Sequence, residues 1–109
     1  MSQKEKIIMR YLGGLRGAGN LTWGDEAGAR ADYDFEGFQT GPGQVMCSGE
    51  IRLAPDVLRS VFGRRDVQLV TDDGRRLSLR FSERQLAAAS DSAHVDVAGD
   101  LPPASEWRH

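Results

Sequence analysis

The stretch GGLRGAGNLTW, residues 13–23, contains the residue types that most often bind a phosphate group. A dinucleotide-binding turn needs G-x-G-x-x-G between a strand and a helix, because the backbone amides at the helix N-terminus then meet the pyrophosphate. Gly17 and Gly19 are followed by Thr22 where the third glycine is required, and the Gly-Lys-Ser/Thr of a P-loop is absent from the sequence. We therefore predict that these glycines serve packing.

Four polar residues in the second half of the chain are the candidates for binding a small ligand. His94 and Asp96 alternate, and so do Arg76 and Arg80, which places each pair on one face of its strand. A catalytic metal usually needs three protein ligands, and the first pair supplies two. We expect His94 to lie on a solvated surface, and we expect no metal and no cofactor.

Nucleophilic chemistry has few candidates. Cys47, the single cysteine, falls between Val45 and Gly49 on the predicted inward side of a strand, where a thiol behaves as a small hydrophobe. Ser48 is outside any G-x-S-x-G turn. An enzyme is accordingly the least expected class, and one cysteine excludes an intrachain disulfide and fits a reducing compartment.

Three carboxylates alternate along one predicted outward face: Asp32, Asp34 and Glu36. Such a row can bind a hard cation, but cross-strand arginines are the commoner partners. Three arginines are available for this: Arg16, Arg30 and Arg52.

A period of two in hydropathy runs along most of the chain, with apolar or small residues at odd positions. Such runs occupy residues 15–23, 27–37, 45–53, 67–71, 77–81 and 95–97. This alternation is typical of half-buried antiparallel strands. It predicts an all-β protein, a single antiparallel β-barrel or rolled sheet of about six to seven strands in meander order. The pattern does not decide whether the barrel is closed.

The turn residues fix the expected register. Two strands of this chain can share a buried face only if residues directly opposite each other are both odd-numbered or both even-numbered. A three-residue loop at 72–74, with Gly74 left-handed, sets Leu69 opposite Leu77 and Val67 opposite Leu79. A first turn near residues 25–26 sets Gly17 and Gly19 across from residues 31–35, so that the rings of Tyr33 and Phe35 cover them.

Two short helices are predicted, near 55–62 and 83–89. Pro55 suits a first helical turn, and the apolar residues that follow lie on one face. Ser82 and Gln85 have capping-box spacing ahead of the second. Residues 3–12 fit a strand or a helix, with the strand favoured. Residues 1–101 form one predicted domain, and the Pro-led segment 102–109 is expected to be a flexible tail.

Composition limits the partners. The chain has 109 residues, a formal net charge of −2 and scattered charges of both signs, so nucleic acid is not an expected partner. The apolar run at residues 7–9 is too short for a membrane span, and a cytoplasmic protein is expected.

Three apolar residues break the polar pattern of the predicted outer face: Phe38, Met46 and Val70. A turn at residues 39–43 sets Phe38 opposite Gln44 and diagonal to Met46. Exposed apolar patches usually mark partners, so these three residues predict a protein interface, most simply that of a homodimer.

The order of the segments ADYDFEGF, CSGEIRL, VQLVTDDGRRLSLRFS and AHVDVAGDLP resembles that of small bacterial all-β proteins of unknown function. The resemblance covers most of the chain and implies no catalytic or ligand-binding residue. The sequence therefore favours a non-enzymatic protein-binding or assembly module. The alternative is a small-ligand-binding barrel with a pocket at the barrel mouth beside the helix at 55–62.

Overall fold

The computed structural model describes residues 9–107, apart from the side chains of residues 26 and 27. These residues form six strands, one α-helix and a 3-10 turn at Ala104–Glu106. The strands are β1 (Arg10–Trp23), β2 (Glu26–Gly41), β3 (Gln44–Arg52), β4 (Val67–Thr71), β5 (Arg76–Phe81) and β6 (Ser92–Gly99), and the helix α1 is Pro55–Val61.

The strands form a closed antiparallel barrel in the order β1-β2-β3-β6-β5-β4. Two three-stranded meanders, β1–β3 and β4–β6, are joined where β3 pairs with β6 and β1 pairs with β4. Helix α1 makes the connection between the meanders. The predicted all-β barrel with six strands is confirmed, and the barrel is closed.

The predicted parity of the buried face is confirmed along most of the chain. In β4 and β5, Leu69 lies opposite Leu77 and Val67 opposite Leu79, and Gly74 in the connecting turn has a φ of +97°. Val67, Leu69, Leu77 and Leu79 are buried in one hydrophobic core together with Phe35, and the half-buried Phe81 packs against it. Because each such side chain leaves water, this core carries most of the favourable free energy of folding.

The helix prediction is confirmed at Pro55–Val61, where Leu58 and Val61 are buried against the barrel. The second helix, predicted over 83–89, is wrong: residues 82–91 are irregular. Ser82 and Glu83 hydrogen-bond to His94 of β6 instead of capping a helix, so the segment is fixed to the sheet. No helix among residues 9–107 is long and apolar enough to cross a membrane.

The first and last described residues contact the barrel in different ways. Residues 10–12 lie in β1, as the strand interpretation of residues 3–12 predicts, and residues 3–8 lie outside the described part. In the C-terminal segment Pro102 is buried, and the indole of Trp107 packs on Gly37 and donates a hydrogen bond of 2.9 Å to the Pro102 carbonyl. The mobility of segment 102–109 stays a prediction.

Candidate functional site

The glycines of residues 13–23 lie within a strand, which is unlike a phosphate-binding turn. Gly17 is opposite Tyr33, whose hydroxyl would be only 2.8 Å from a Cβ at that position, so the ring fills the missing side-chain volume as predicted. Gly19 is different, because a Cβ there would overlap the Val70 carbonyl and lie 2.8 Å from the Thr71 Cα. The prediction of an aromatic ring over Gly19 is wrong; the backbone of β4 occupies that space.

His94 is held in a hydrogen-bonded cluster on the outer face. Its Nδ1 lies 2.7 Å from Ser82 Oγ, and its backbone N–H donates to Glu83 Oε1 at 2.9 Å. Glu50 is its cross-strand neighbour on β3. All of these groups are exposed. The hydrogen bonds fix the segment after β5 to the sheet.

Asp96 and Arg80 face each other across β6 and β5, and both line a cavity of about 260 Å³ together with Arg65 and Ser78. Arg76 lies four residues before Arg80 on β5 and donates to Gln68 Oε1 at 3.4 Å. The structure thus brings two of the four predicted ligand candidates, Asp96 and Arg80, to one cavity, which Arg76 and His94 do not line. Among residues 9–107, no three metal-binding side chains converge.

The carboxylate row on β2 meets arginines from neighbouring strands. Arg16 Nε lies 3.0 Å from Asp34 Oδ1, and Arg52 lies opposite Asp32 in the register. Arg30 instead forms a two-bond ion pair with Asp72, and these bonds lower the pKa of the Asp72 carboxyl. The cross-strand pairing predicted for the row is confirmed for Arg16.

Cys47 has the environment of a structural thiol. It is buried on the inner face of β3, and this burial, with the nearby negative charge of Glu36, raises the pKa of the thiol to about 12. The thiolate is the nucleophilic form of cysteine, so this burial disfavours reaction of Cys47 at neutral pH.

The strongest candidate site is an exposed apolar patch formed by Met9, Tyr11, Phe38 and Met46, named here the apolar patch. The ring centroids of Tyr11 and Phe38 are 5.4 Å apart, and Phe38 lies directly opposite Met46 in the β2–β3 register. Met9, Phe38 and Met46 line one cavity of about 400 Å³. Met9, Tyr11 and Met46 are 51%, 41% and 55% exposed.

The predicted β2–β3 register near this patch is wrong by two residues. The β2–β3 turn contains two residues, Pro42 and Gly43, and the register shifts between Gln39 and Gly41. Phe38 therefore lies opposite Met46 rather than opposite Gln44. The correction strengthens the predicted contact between the two side chains, because directly opposed residues are closer than diagonal ones.

A second register shift brings Tyr11 into the patch. Between Tyr11 and Gly13, the bulged residue Leu12 has no partner on β2, so the alternation of faces changes at that point. Tyr11 is odd-numbered yet lies on the outer face beside Phe38, where its hydroxyl hydrogen-bonds to Glu36, which raises the pKa of Tyr11. Sequence reasoning missed Tyr11 and Met9; the paired glycines after Leu12 were the available signal of a bulge.

Val70, the third predicted interface residue, lies elsewhere. It is half-buried on β4 and paired with Asn20 of β1, whereas the apolar patch meets β1 at Tyr11. Nine residues along a strand correspond to about 30 Å. The structure therefore joins Phe38 with Met46 and separates Val70 from both.

A shallow cavity of about 320 Å³ lies beside the start of α1. Pro55 and Leu53 contribute to its lining together with four charged side chains, Arg30, Asp32, Arg52 and Asp91. The cavity adjoins the helix beside which the sequence suggested a pocket for a small ligand, and ligand binding there stays a prediction. Arg30 is already bound to Asp72, which leaves Arg52 as the more available cation.

No protein-family model matches the chain, and neither a curated protein nor a solved structure shows significant similarity to it.

Proposed function

We propose that this chain is a non-enzymatic protein-binding or assembly module whose contact surface is the apolar patch. The single observation that carries the proposal is clustering: every exposed large hydrophobic side chain of residues 9–107 belongs to the patch, namely Met9, Tyr11 and Met46. Scattered surface hydrophobes are ordinary, but a contiguous group of them marks a surface that another protein covers.

The patch has the composition of an interface centre. An aromatic pair and two methionines supply a large apolar area, and methionine adapts its shape to different partners. Burying a fully exposed side chain of this kind contributes about 1.5–3 kcal/mol. Met9, Tyr11 and Met46 are already about half covered, so each adds about half of that on binding, and the patch supplies the apolar centre of a larger interface. The partner is a second copy of the chain or another protein. The free thiol of Cys47 fits a module of the bacterial cytoplasm, where we place it.

The test compares the molar mass in solution of the wild type and Phe38→Asp by size-exclusion chromatography with light scattering. Aspartate at the centre of the patch leaves a buried charge in any complex, so we expect the wild type to self-associate and the variant to elute as a monomer of 12.0 kDa.

The matched control is Val70→Asp, which adds the same charge to the outer face at a distance from the patch. It should keep the mass of the wild type. Monomeric profiles for both the wild type and Phe38→Asp would contradict a role for the patch in assembly, and equal loss in the two variants would indicate a general loss of stability.

The second candidate is small-ligand binding at the barrel mouth beside α1. The cavity of about 320 Å³ at Arg52 and Pro55 favours it, since pockets in barrel mouths recur as ligand sites. Its lining carries both signs of charge, Arg30 and Arg52 beside Asp32 and Asp91, and Arg52 is the cation that an anionic ligand would meet. A thermal-shift screen of carboxylate and phosphate metabolites tests this candidate: a saturable rise in Tm that Arg52→Ala abolishes supports it, and no shift from any compound contradicts it.

A further inference from the structure

Strand β1 has an edge that is only half covered. It pairs with β2 along nearly its whole length, but β4 pairs with it only from Gly19 to Trp23. Residues 10–17 have no strand beyond them among the described residues, and this segment is named here the open edge. At about 3.3 Å per residue the open edge is roughly 26 Å long, enough to accept another strand.

The direction of the main-chain groups along the open edge follows from one hydrogen bond. The amide of Asp72 donates to the carbonyl of Ala18 at 2.9 Å, so the backbone groups of Ala18 point away from β2. These directions alternate along a strand, so the N–H and C=O groups of Gly14 and Arg16 point the same way, out of the open edge. Both residues are exposed.

We propose that a second copy of this chain pairs with the open edge, β1 against β1, across a two-fold axis. The pairing rests on the proposed assembly function and names its partner and its geometry. In antiparallel pairing, residues that point out of the edge oppose each other, and centring the axis at Leu15 sets Gly14 opposite Arg16 of the second copy. The two symmetric pairs exchange four main-chain hydrogen bonds.

Charge complementarity supports a second copy in this register. Gly14 lies opposite Glu36 on β2, so the outer face reads Glu36, Gly14 and then Arg16 of the second copy. Glycine has no side chain between the two charges, and the arginine extends over it toward the carboxylate. Each Arg16 thus lies between its own Asp34 and the other copy's Glu36, and no arginine faces another.

The apolar patch adjoins the same interface. Tyr11 belongs to the open edge and begins the outer row that continues through Phe38 and Met46. Pairing in this register extends from Gly13 to Gly17, because Asp72 already occupies the position beyond Ala18 in each copy. Tyr11 lies two residues before the first paired residue, so the dimer borders the β1 end of the patch.

The test is a proline at residue 14, which removes an N–H that points out of the open edge and is not bonded to β2. Gly14→Ala is the matched control, because it keeps the N–H and its Cβ lies an ordinary 3.7 Å from the nearest atom, the Phe35 carbonyl oxygen. Light scattering should give about twice 12.0 kDa for the wild type and Gly14→Ala, and 12.0 kDa for Gly14→Pro. Circular dichroism checks that each variant is folded.

Amide hydrogen exchange of the wild type provides a readout without mutation. The amides of Gly14 and Arg16 should exchange slowly at high protein concentration and at least tenfold faster after dilution to the monomer, whereas the Leu15 amide, which faces β2, should stay protected throughout. Exchange at Gly14 that is fast at every concentration would overturn the pairing.

The mass pattern separates the two proposals. If Gly14→Pro remains a dimer and Phe38→Asp becomes a monomer, the edge pairing is overturned and the patch carries assembly. If Gly14→Pro becomes a monomer and Phe38→Asp remains a dimer, the edge pairing stands and the patch proposal fails. A wild type that is monomeric at every concentration overturns pairing with a second copy.

Discussion

Three glycines in β1 differ in what an added methyl group would meet, and alanine at each of them tests the packing of the barrel. At Gly14 the new Cβ meets nothing closer than 3.7 Å. At Gly17 it meets the far end of the Tyr33 ring, and at Gly19 it meets the backbone of β4. The three substitutions are chemically identical, so differences in stability report the surroundings alone.

The expected loss in the free energy of unfolding depends on how far the group that meets each added methyl can move. The Tyr33 ring shifts by a few tenths of an ångström against Phe35, 5.0 Å away, so Gly17→Ala should cost about 1 kcal/mol. At Gly19 the Thr71 Cα, 2.8 Å from the new Cβ, belongs to the strand that closes the barrel. Relief requires β4 to separate from β1, and we expect a cost of about 3 kcal/mol, at the upper end for overpacking.

Gly14→Ala should be neutral or stabilising by about 0.4–1 kcal/mol, since alanine restricts the unfolded chain and is accommodated in the folded one. Urea unfolding followed by tryptophan fluorescence measures all three variants, and the expected loss at Gly19 corresponds to a fall in Tm of about 10–15 °C. A Gly19→Ala protein within 0.5 kcal/mol of the wild type would refute the close approach of β4.

Two further predictions concern the interior and the C-terminal segment. Because burial raises the pKa of Cys47 to about 12, its reaction with a disulfide reagent at pH 8 should be about 1,000-fold slower in the folded protein than in urea; similar rates would contradict that burial. Trp107→Ala should lower the free energy of unfolding by about 1–3 kcal/mol. Gly37→Ala should also destabilise the wild type, because its methyl group would lie 2.6 Å from the indole, but it should cost little once Trp107 is alanine. Additive losses in a double-mutant cycle would disprove the contact.

The fold was predictable because hydropathy alternation and turn chemistry agree along most of the chain. The parity of Leu69, Leu77 and their neighbours required a three-residue turn at Gly74, and the structure has that turn. A β-bulge, however, changes whether odd-numbered or even-numbered residues face the core. The one at Leu12 turned Tyr11 outward, and no hydropathy pattern marks a single inserted residue.

The rest of the candidate site depended on contacts between distant segments. Ser82 has the spacing of a helix cap, but its partner is His94, twelve residues along the chain and adjacent only after β5 and β6 have paired. Gly19 is constrained by Val70, which lies on a strand that sequence order does not place beside β1. Such tertiary contacts override local propensity.

The closure of the barrel has a consequence for how the chain reaches its native state. The seam between β1 and β4 joins residues about fifty positions apart, such as Gly19 and Thr71, and the seam between β3 and β6 spans a similar separation, as between Cys47 and Val97. Because the entropy of closing such loops is lost before the seams form, we expect refolding in milliseconds to seconds. During synthesis, β1–β3 leave the ribosome before β6, so the barrel cannot close and their apolar face stays exposed until β6 follows.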